Sequence, residues 1–154
     1  MTRRIARRKS PVHGYGVFAC VPIAADTRII EYRGRRIPVT EVQARFGGTS
    51  ASGHTFLIAL NDAWYIDGGD GGNLSRWINH SCDPNCVAMT WVNIDGIEAR
   101  DRIFIEALRP IRVGEELSFD YSIELSGYCD DQITACWACA CGAKNCRGSM
   151  LADS

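Results

Sequence analysis

The chain lacks any long hydrophobic segment and any large excess of charge. No run approaches the roughly 18 consecutive apolar residues that a membrane-spanning helix needs, so a soluble protein is expected. The 17 basic and 18 acidic residues leave a formal net charge of −1, which argues against nucleic-acid binding through a large basic surface. Internal repeats and low-complexity linkers are also missing. With 154 residues, 46% of them hydrophobic, the sequence suits one compact domain.

The start of the chain is basic but is a poor secretory signal. Residues 2–9 (TRRIARRK) carry five cationic side chains, and we expect residues 1–10 to form a solvated tail. Docking to an acidic partner and a localisation signal are the less common alternatives. The apolar stretch that follows is interrupted by Gly16, Cys20 and Pro22. We therefore expect an intracellular protein, either cytoplasmic or nuclear and chromatin-associated.

Eight cysteines in a chain without a convincing signal peptide favour metal ligands and reduced thiols over a disulfide framework. Cys139, Cys141 and Cys146 lie within one short glycine-containing loop, so their thiolates can converge on one ion. A tetrahedral structural zinc site needs a fourth ligand, for which Cys82 and Cys136 are both candidates. Because Cys136 has an ordinary CxxC spacing to Cys139, the spacing alone leaves this choice open.

Short strand-like runs separated by turn residues predict a mainly β fold. The expected strands are residues 16–20, 28–32, 55–60, 63–67, 87–92, 97–107 and 117–122. The dipeptides ND (61–62) and DG (95–96) stand where tight hairpin turns are expected. One short helix is predicted over residues 41–46, with Thr40 as its cap and the glycines at 47–48 as its end.

Three unusual motif clusters occur in one order along the chain. Residues 76–85 (RWINHSCDPN) combine an amide, an imidazole, a thiol and an Asp-Pro turn, and residues 114–121 (GEELSFDY) and 139–148 (CACGAKNCRG) follow. Together with HGYGVFA at residues 13–19, they resemble the SET-domain protein lysine methyltransferases. The resemblance implies a fold of several small β-sheets with few short helices, a knot-like crossing between the first two clusters, and a C-terminal zinc-binding loop.

The resemblance also implies how the chain is divided and which thiols bind zinc. Residues 11–124 would be the SET catalytic domain and residues 125–154 the post-SET tail, a minimal unit without a pre-SET region. In family members with a cysteine-rich tail, the cysteine of NHSC joins three tail cysteines and pins the tail across the active site. The implied zinc ligands are Cys82, Cys139, Cys141 and Cys146.

The family binds S-adenosylmethionine through its glycine-containing turn and its NHSC motif. Alone, the GYG sequence at residues 14–16 is weak evidence, since it lacks the third glycine of a dinucleotide fingerprint. The resemblance implies cofactor-binding roles for His13, Gly14, Tyr15, Gly16, Tyr32, Arg76, Asn79, His80 and Tyr121. Trp77 would line or support the same site. A nucleophilic Cys82 activated by His80 is disfavoured, because this thiol is better employed as a zinc ligand.

The DY motif supplies the expected catalytic group. In a strand, Leu117, Phe119 and Tyr121 face the same side, which places two aromatic rings next to each other. In the family the tyrosine of this motif is catalytic, and the position two residues earlier tunes how many methyl groups are accepted. The resemblance therefore implies catalysis by Tyr121 and tuning by Phe119, with di- or trimethylation of a lysine in a histone or another basic protein.

Two other classes of function stay open at this point. One is a non-catalytic binding module with the same fold, and the other is a zinc-dependent interaction protein in which the cysteine tail is the functional part. Trp137, between two tail cysteines, could line the lysine channel or only pack the tail. A small-molecule methyltransferase with a βαβ nucleotide fold is disfavoured, because no strand-then-helix glycine motif is present. We expect neither nucleic acid nor a membrane as a partner.

Overall fold

The computed structural model describes residues 3–46, 56–124, 131 and 135–152. The elements in chain order are β1 (Ile5–Lys9), β2 (Tyr15–Ala19), β3 (Arg28–Glu31), β4 (Arg35–Pro38), α1 (Val39–Phe46), β5 (Leu57–Ala59), β6 (Trp64–Asp67), β7 (Asn79–His80), β8 (Cys86–Trp91), β9 (Arg102–Ala107) and β10 (Ser118–Phe119). Short 3-10 helices cover Leu74–Trp77 and Glu98–Arg100. The prediction of a mainly β fold with few short helices is confirmed.

The strands of the described residues form four small sheets. β1 pairs with β2 and β7 with β10, while the two three-stranded sheets have the orders β3-β9-β8 and β4-β6-β5. On β9, Ile103, Phe104, Ile105 and Ala107 are all buried, so most of this central strand is covered on both faces. Ile105 packs with Val17 and Leu117 in the larger of two core clusters. The sheets therefore share a core that reaches the middle of the GEELSFDY motif.

The motif clusters meet where β7 pairs in parallel with β10. Asn79 lies opposite Ser118, and His80 lies opposite Phe119. Further along, the buried Asn85 side chain donates to the Glu116 carbonyl (2.8 Å) and accepts from the Ser118 amide (2.9 Å). The motif at residues 76–85 and the motif at residues 114–121 thus lie side by side. This contact is the crossing of two distant segments that the resemblance implied.

The predicted strands at 16–20, 28–32, 63–67 and 87–92 are found with each end within one residue of its expected position. The predicted strand 97–107 is wrong in its first half, because Glu98–Arg100 form a 3-10 helix and β9 begins at Arg102. The buried Asp101 carboxylate holds this connection by accepting from the Asn61 side chain (3.0 Å) and the Asn93 amide (2.8 Å). Residues 95–96 therefore belong to a longer connection and not to a tight hairpin.

Other boundaries also differ from the predictions. The strand expected at 117–122 shortens to β10, because Ser122 has φ +45° and the chain turns there. Helix α1 begins at Val39, directly after β4, so that Thr40 lies inside the helix. The expected end of the helix at residues 47–48 lies outside the described residues, as does the first residue of the strand expected at 55–60. The turn at residues 61–62 is confirmed by the tight connection of β5 to β6.

Part of the expected basic tail is a strand. Ile5–Lys9 pair with β2 along their whole length, and Ile5 is buried in the core. The Arg7 guanidinium lies 4.6 Å from the centre of the Tyr15 ring and 5.2 Å from that of Trp77, within the range of cation–π attraction. β1 therefore contributes one buried apolar side chain, Ile5, and one cation, Arg7, that stacks on two aromatic rings. Among the described residues, no helix is both long and apolar enough to cross a membrane.

The β1–β2 hairpin is fastened to the core by Glu116. Its carboxylate accepts hydrogen bonds from the Ser10 hydroxyl (2.8 Å) and from the Asn79 side chain (2.9 Å). Gly16 makes room for it, because a Cβ at this position would collide with Glu116 Oε1 and crowd Ser10. Gly14 has φ +48°, a conformation that costs a residue with a side chain more than it costs glycine. The structure therefore requires glycine at these two positions for different reasons, which are the backbone conformation of Gly14 and the space that Glu116 occupies beside Gly16.

We expect Gly16→Ala to destabilise the protein by about 1–3 kcal/mol, because the new methyl group would push Glu116 out of its hydrogen bonds. Urea unfolding of Gly16→Ala, Glu116→Ala and the double variant measures the coupling between the two positions. The double variant should lose less stability than the sum of the single losses. Strictly additive losses would contradict a steric role for Glu116 at Gly16.

Candidate active site and cysteine cluster

A cavity of about 460 Å³ opens between the hairpin turn, the first 3-10 helix, β7 and the C-terminal tail. Its wall is formed by residues 12–15, Phe56, Arg76, Trp77, Asn79, His80, Tyr121, residues 136–140 and Met150. This volume lies within the range of about 300–1,000 Å³ that is usual for small-molecule sites. The cavity therefore gathers parts of all three motif clusters and of the GYG turn.

Trp77 is the centre of an aromatic wall. Its ring meets Tyr15 edge to face at 5.7 Å and Phe56 edge to face at 5.3 Å. The Arg76 guanidinium lies 4.9 Å from the centre of the Trp77 ring. The 3-10 helix that carries both residues is capped by Asn73, whose side chain accepts from the Ser75 amide (3.1 Å). Flat apolar faces beside a fixed cation suit a ligand that has both an aromatic ring and a carboxylate.

Trp137 lines the cavity and is also buried within the tail. Its side chain is 3% exposed, and its indole Nε1 is buried with no hydrogen-bond partner among the described residues. A buried donor without a partner costs about 1–3 kcal/mol. Packing of the tail is therefore one role of Trp137, and lining of a lysine channel stays a prediction.

The Asn79 side chain holds the hairpin turn in place at the cavity. Its Nδ2 lies 3.0 Å from the Tyr15 carbonyl and 3.2 Å from the His13 carbonyl, in addition to its contact with Glu116. An amide has two N–H donors, which these three acceptors share. The side-chain amide of Asn79 thus fixes the backbone of the hairpin turn by hydrogen bonding.

Tyr121 sits at the inner end of the cavity. Its hydroxyl donates to the Ile78 carbonyl, and its ring lies 4.8 Å from that of Phe119 and 5.4 Å from that of His80. Burial, with a smaller effect from the Glu116 charge, raises the pKa of the Tyr121 phenol well above its ordinary value. The phenol is therefore neutral at physiological pH and acts as a hydrogen-bonding group.

Two residues of the expected cofactor-binding set, Tyr32 and Gly16, are absent from the cavity wall. Phe119 is also absent from it and packs against the Tyr121 ring. Tyr32 is 5% exposed and packs in the smaller core cluster, with its hydroxyl donating to the Phe56 carbonyl (2.6 Å). It is absent from the cavity wall, because its side chain packs against Leu60, Ile66 and Ile103 in the core. Gly16 is also absent from the wall and serves the packing of Glu116. Among residues that the motifs did not single out, Phe56 and Met150 line the cavity.

Four thiols converge beside the cavity. The sulfurs of Cys82, Cys139, Cys141 and Cys146 all lie within 4.8 Å of one another. Cys82 Sγ is 3.8 Å from Cys139 Sγ and 3.9 Å from Cys146 Sγ. Tetrahedral zinc with Zn–S bonds of about 2.3 Å separates its sulfurs by about 3.8 Å, so the donor set and its spacing fit this ion. Cys136, the local alternative for the fourth ligand, is not a member of the cluster.

The tail is also held by contacts that need no metal. Arg147 forms a two-pronged ion pair with Asp120, with N–O distances of 2.8 and 3.0 Å. Ile123 and Leu151 form a parallel bridge. In it the Ile123 amide donates to the Met150 carbonyl, and the Ile123 carbonyl accepts from the Ala152 amide. Asp120 directly precedes Tyr121, so the ion pair connects the tail to the motif that carries the expected catalytic residue.

The comparison with protein families defines the class. Residues 14–122 match the SET domain, so the chain belongs to the SET-domain family and the resemblance is confirmed. The SET fold of small β-sheets, with a cysteine cluster near the C-terminus, is confirmed as well.

Individual relatives narrow the comparison further. The "Histone-lysine N-methyltransferase, H3 lysine-4 specific" of Saccharomyces cerevisiae is 38% identical over 144 residues, covering 92% of this chain and 13% of the relative. "Histone-lysine N-methyltransferase SETD1" of Drosophila melanogaster is 38% identical, and SETD1A of Homo sapiens is 37% identical. Each of these two matches covers 92% of this chain and 8% of the relative. The chain thus spans a small part of the curated relatives it matches.

The ion pair between Arg147 and Asp120 yields a test of tail docking. Arg147→Lys keeps the charge but loses the two-pronged geometry, and we expect the amides of residues 135–152 to lose about 1 kcal/mol of protection from hydrogen exchange. Arg28→Lys, which alters the ion pair with Glu106 in a different sheet, is the matched control and should leave these amides unchanged. Equal protection in both variants would contradict a docking role for Arg147.

The same ion pair sets a pH dependence. Burial raises the pKa of the Asp120 carboxyl, but the Arg147 ion pair and the hydrogen bonds from Ser122 together outweigh it, and the net shift is downward. A carboxyl with a lowered folded-state pKa stabilises the protein above its unfolded pKa of about 3.9 and loses this contribution as the pH falls through the folded-state value. Tail protection in the Arg147→Lys protein should therefore differ from wild type at neutral pH and converge with it in acid.

Proposed function

We propose that the chain transfers methyl groups from S-adenosylmethionine to a lysine side chain of a protein. The observation that carries the proposal is the meeting of the GYG turn, the NHSC motif, the DY tyrosine and the cysteine tail around one cavity. The relatives named as histone H3 lysine-4 methyltransferases make histone H3 the first substrate to test. A nuclear, chromatin-associated location is part of the same proposal.

The cavity wall offers the groups that S-adenosylmethionine requires. When bound, this cofactor supplies a methyl group on a positively charged sulfur. Arg76 can pair with its carboxylate, and the rings of Phe56 and Trp77 can cover its heterocycle. The backbone of residues 13–15, fixed by Asn79, adds polar groups along one side.

Tyr121 is proposed to orient the lysine amine. Because its hydroxyl hydrogen is directed to the Ile78 carbonyl, the oxygen keeps lone-pair capacity to accept a hydrogen bond from an amine. A lysine amine with a pKa near 10.4 must lose its proton before it can act as a nucleophile. The raised pKa of Tyr121 makes the phenolate rare, so removal of this proton falls to solvent and Tyr121 holds the neutral amine in line.

Phe119 is proposed to leave more than one methylation state accessible. Its ring packs against Tyr121 and is 6% exposed. A phenylalanine has no hydroxyl to bind water next to the amine, so nothing at this position restricts the rotation of a methylated nitrogen. We therefore predict that di- or trimethyl-lysine is formed.

The first test is Tyr121→Phe. We expect a loss of methyl transfer of about 100-fold or more, because the amine is no longer oriented, while affinity for S-adenosylmethionine is retained. The assay supplies methyl-labelled S-adenosylmethionine with histone H3, core histones and a cell lysate, and mass spectrometry locates the methyl groups and their number. Tyr65→Phe, on β6 and away from the cavity, is the matched control.

The outcomes of this test separate the competing functions. Tyr121-dependent transfer to lysine supports the proposal. Measurable cofactor binding without transfer to any of these proteins would favour a non-catalytic SET module. If the protein binds zinc but not S-adenosylmethionine, a zinc-dependent interaction protein is the better description.

We further propose that zinc bound by Cys82, Cys139, Cys141 and Cys146 completes the cavity by fixing the tail. The expected stoichiometry is one zinc per chain, measured by atomic emission. Cys82→Ser should lose the metal and the methyl transfer, whereas Cys136→Ser should keep the metal, since Cys136 lies outside the cluster. Full activity of the metal-free protein would contradict the link between zinc and catalysis, and metal loss in Cys136→Ser would contradict the ligand set.

A further inference from the structure

We propose that the His80 imidazole is a hydrogen-bonded bridge between the cysteine cluster and the Tyr121 backbone. In this role it is a positioning residue that connects the metal site to the expected catalytic segment. The inference rests on the proposed zinc site. It assigns a role to the His80 side chain in addition to the cofactor contact that the resemblance implied for His80.

The bonding of Nδ1 determines where the ring proton lies. His80 is 4% exposed, and its Nδ1 is 3.0 Å from the backbone nitrogen of Tyr121. A backbone N–H can only donate, so Nδ1 must accept, and in the neutral ring the proton then belongs to Nε2. The Asp120 carboxylate also faces Nδ1, but at 3.6 Å. A proton on Nδ1 directed at Asp120 would leave two N–H groups opposing each other at the shorter distance.

The opposite side of the ring faces a sulfur. His80 Nε2 is 3.4 Å from Cys82 Sγ, within reach of an N–H donor to a thiolate. Other N–H donors to the cluster are backbone amides, such as that of Arg147 to Cys82 (3.4 Å) and that of Gly148 to Cys146 (3.3 Å). Four thiolates on one divalent cation carry excess negative charge, which such donors stabilise. His80 therefore adds a side-chain donor to the cluster.

The bridge couples the cysteine cluster to the backbone of Tyr121, which lie on segments that are distant in sequence. A metal that fixes Cys82 fixes the imidazole, and the imidazole fixes the Tyr121 amide next to the reacting phenol. Both ring nitrogens are occupied by these bonds, so any contact of His80 with S-adenosylmethionine must use its backbone. The T-shaped packing of the His80 and Tyr121 rings at 5.4 Å adds a second constraint in the same direction.

The test uses cadmium in its NMR-active isotope as the probe metal, bound to protein with nitrogen-labelled histidine. Long-range proton–nitrogen spectra should show His80 protonated on Nε2. A scalar coupling between cadmium and the Nε2 proton should appear, because the hydrogen bond connects them through the sulfur of Cys82. A merely structural histidine would not give this coupling.

Two variants separate the two halves of the bridge. His80→Asn retains an acceptor near the Nδ1 position but cannot reach Cys82, and we expect its metal affinity to fall about 10-fold to 100-fold. His80→Gln places an N–H donor near the Nε2 position, and we expect it to recover most of that affinity. The Tyr121 amide should move in the proton–nitrogen spectrum of His80→Gln and move less in that of His80→Asn.

Each result has a defined meaning. Tight cadmium binding with an Nδ1 proton, or with no coupling to His80, would overturn the bridge and leave the zinc site intact. Equal affinities of both variants with the wild type would overturn it too. A cluster that does not bind cadmium would overturn the bridge and the zinc site together. Absence of methyl transfer in a protein that shows the coupling would overturn the proposed activity alone.

Discussion

The pairing of β7 with β10 is the contact on which the candidate site depends. These two-residue strands come from distant parts of the chain and are too short to be stable by their own hydrogen bonds. Polar side chains support them, with the buried Asn85 bonded to both neighbours of Leu117 and with the partly exposed Asn79 bonded to Glu116. Because every member of this network has a partner, the crossing is specified by polar groups in a way that apolar packing alone would not achieve. The cavity, the DY tyrosine and the cysteine cluster are arranged around it.

Much of the site could be predicted because its residues are unusual for a plain core. The motif at residues 76–85 has no reason to occur in an ordinary turn, and three closely spaced cysteines indicate a metal. The choice between Cys82 and Cys136 could not be made from spacing, since it depends on a contact across the crossing that local sequence does not encode. Ile5–Lys9 were missed as a strand because three of these five residues are basic, two more basic residues precede them, and one buried isoleucine gives no period. A family motif also does not determine where a side chain points, since the aromatic ring of Tyr32 is buried in the core.

Several of the side chains that the motifs single out support the backbone of the site. Asn79 and Glu116 hold the hairpin turn, Asp120 holds the tail through Arg147, and Gly16 leaves room for a carboxylate. Hydrogen bonds and ion pairs of this kind are directional, so they fix the position of the backbone around the cavity. A motif residue can therefore be indispensable for activity without touching a ligand.

The distance in sequence between the thiols has a consequence for how the protein acquires its structure. Cys82 and Cys139 are separated by 57 positions, and the first of them becomes correctly placed only when the crossing has formed. During synthesis Cys82 leaves the ribosome before the three tail cysteines, so an early ion could meet Cys82 alone. Contacts between remote segments also form slowly, because loop closure must precede them. If the cluster binds zinc as proposed, its capture by all four thiolates is a late event in folding and marks those chains in which the remainder has already reached its native arrangement.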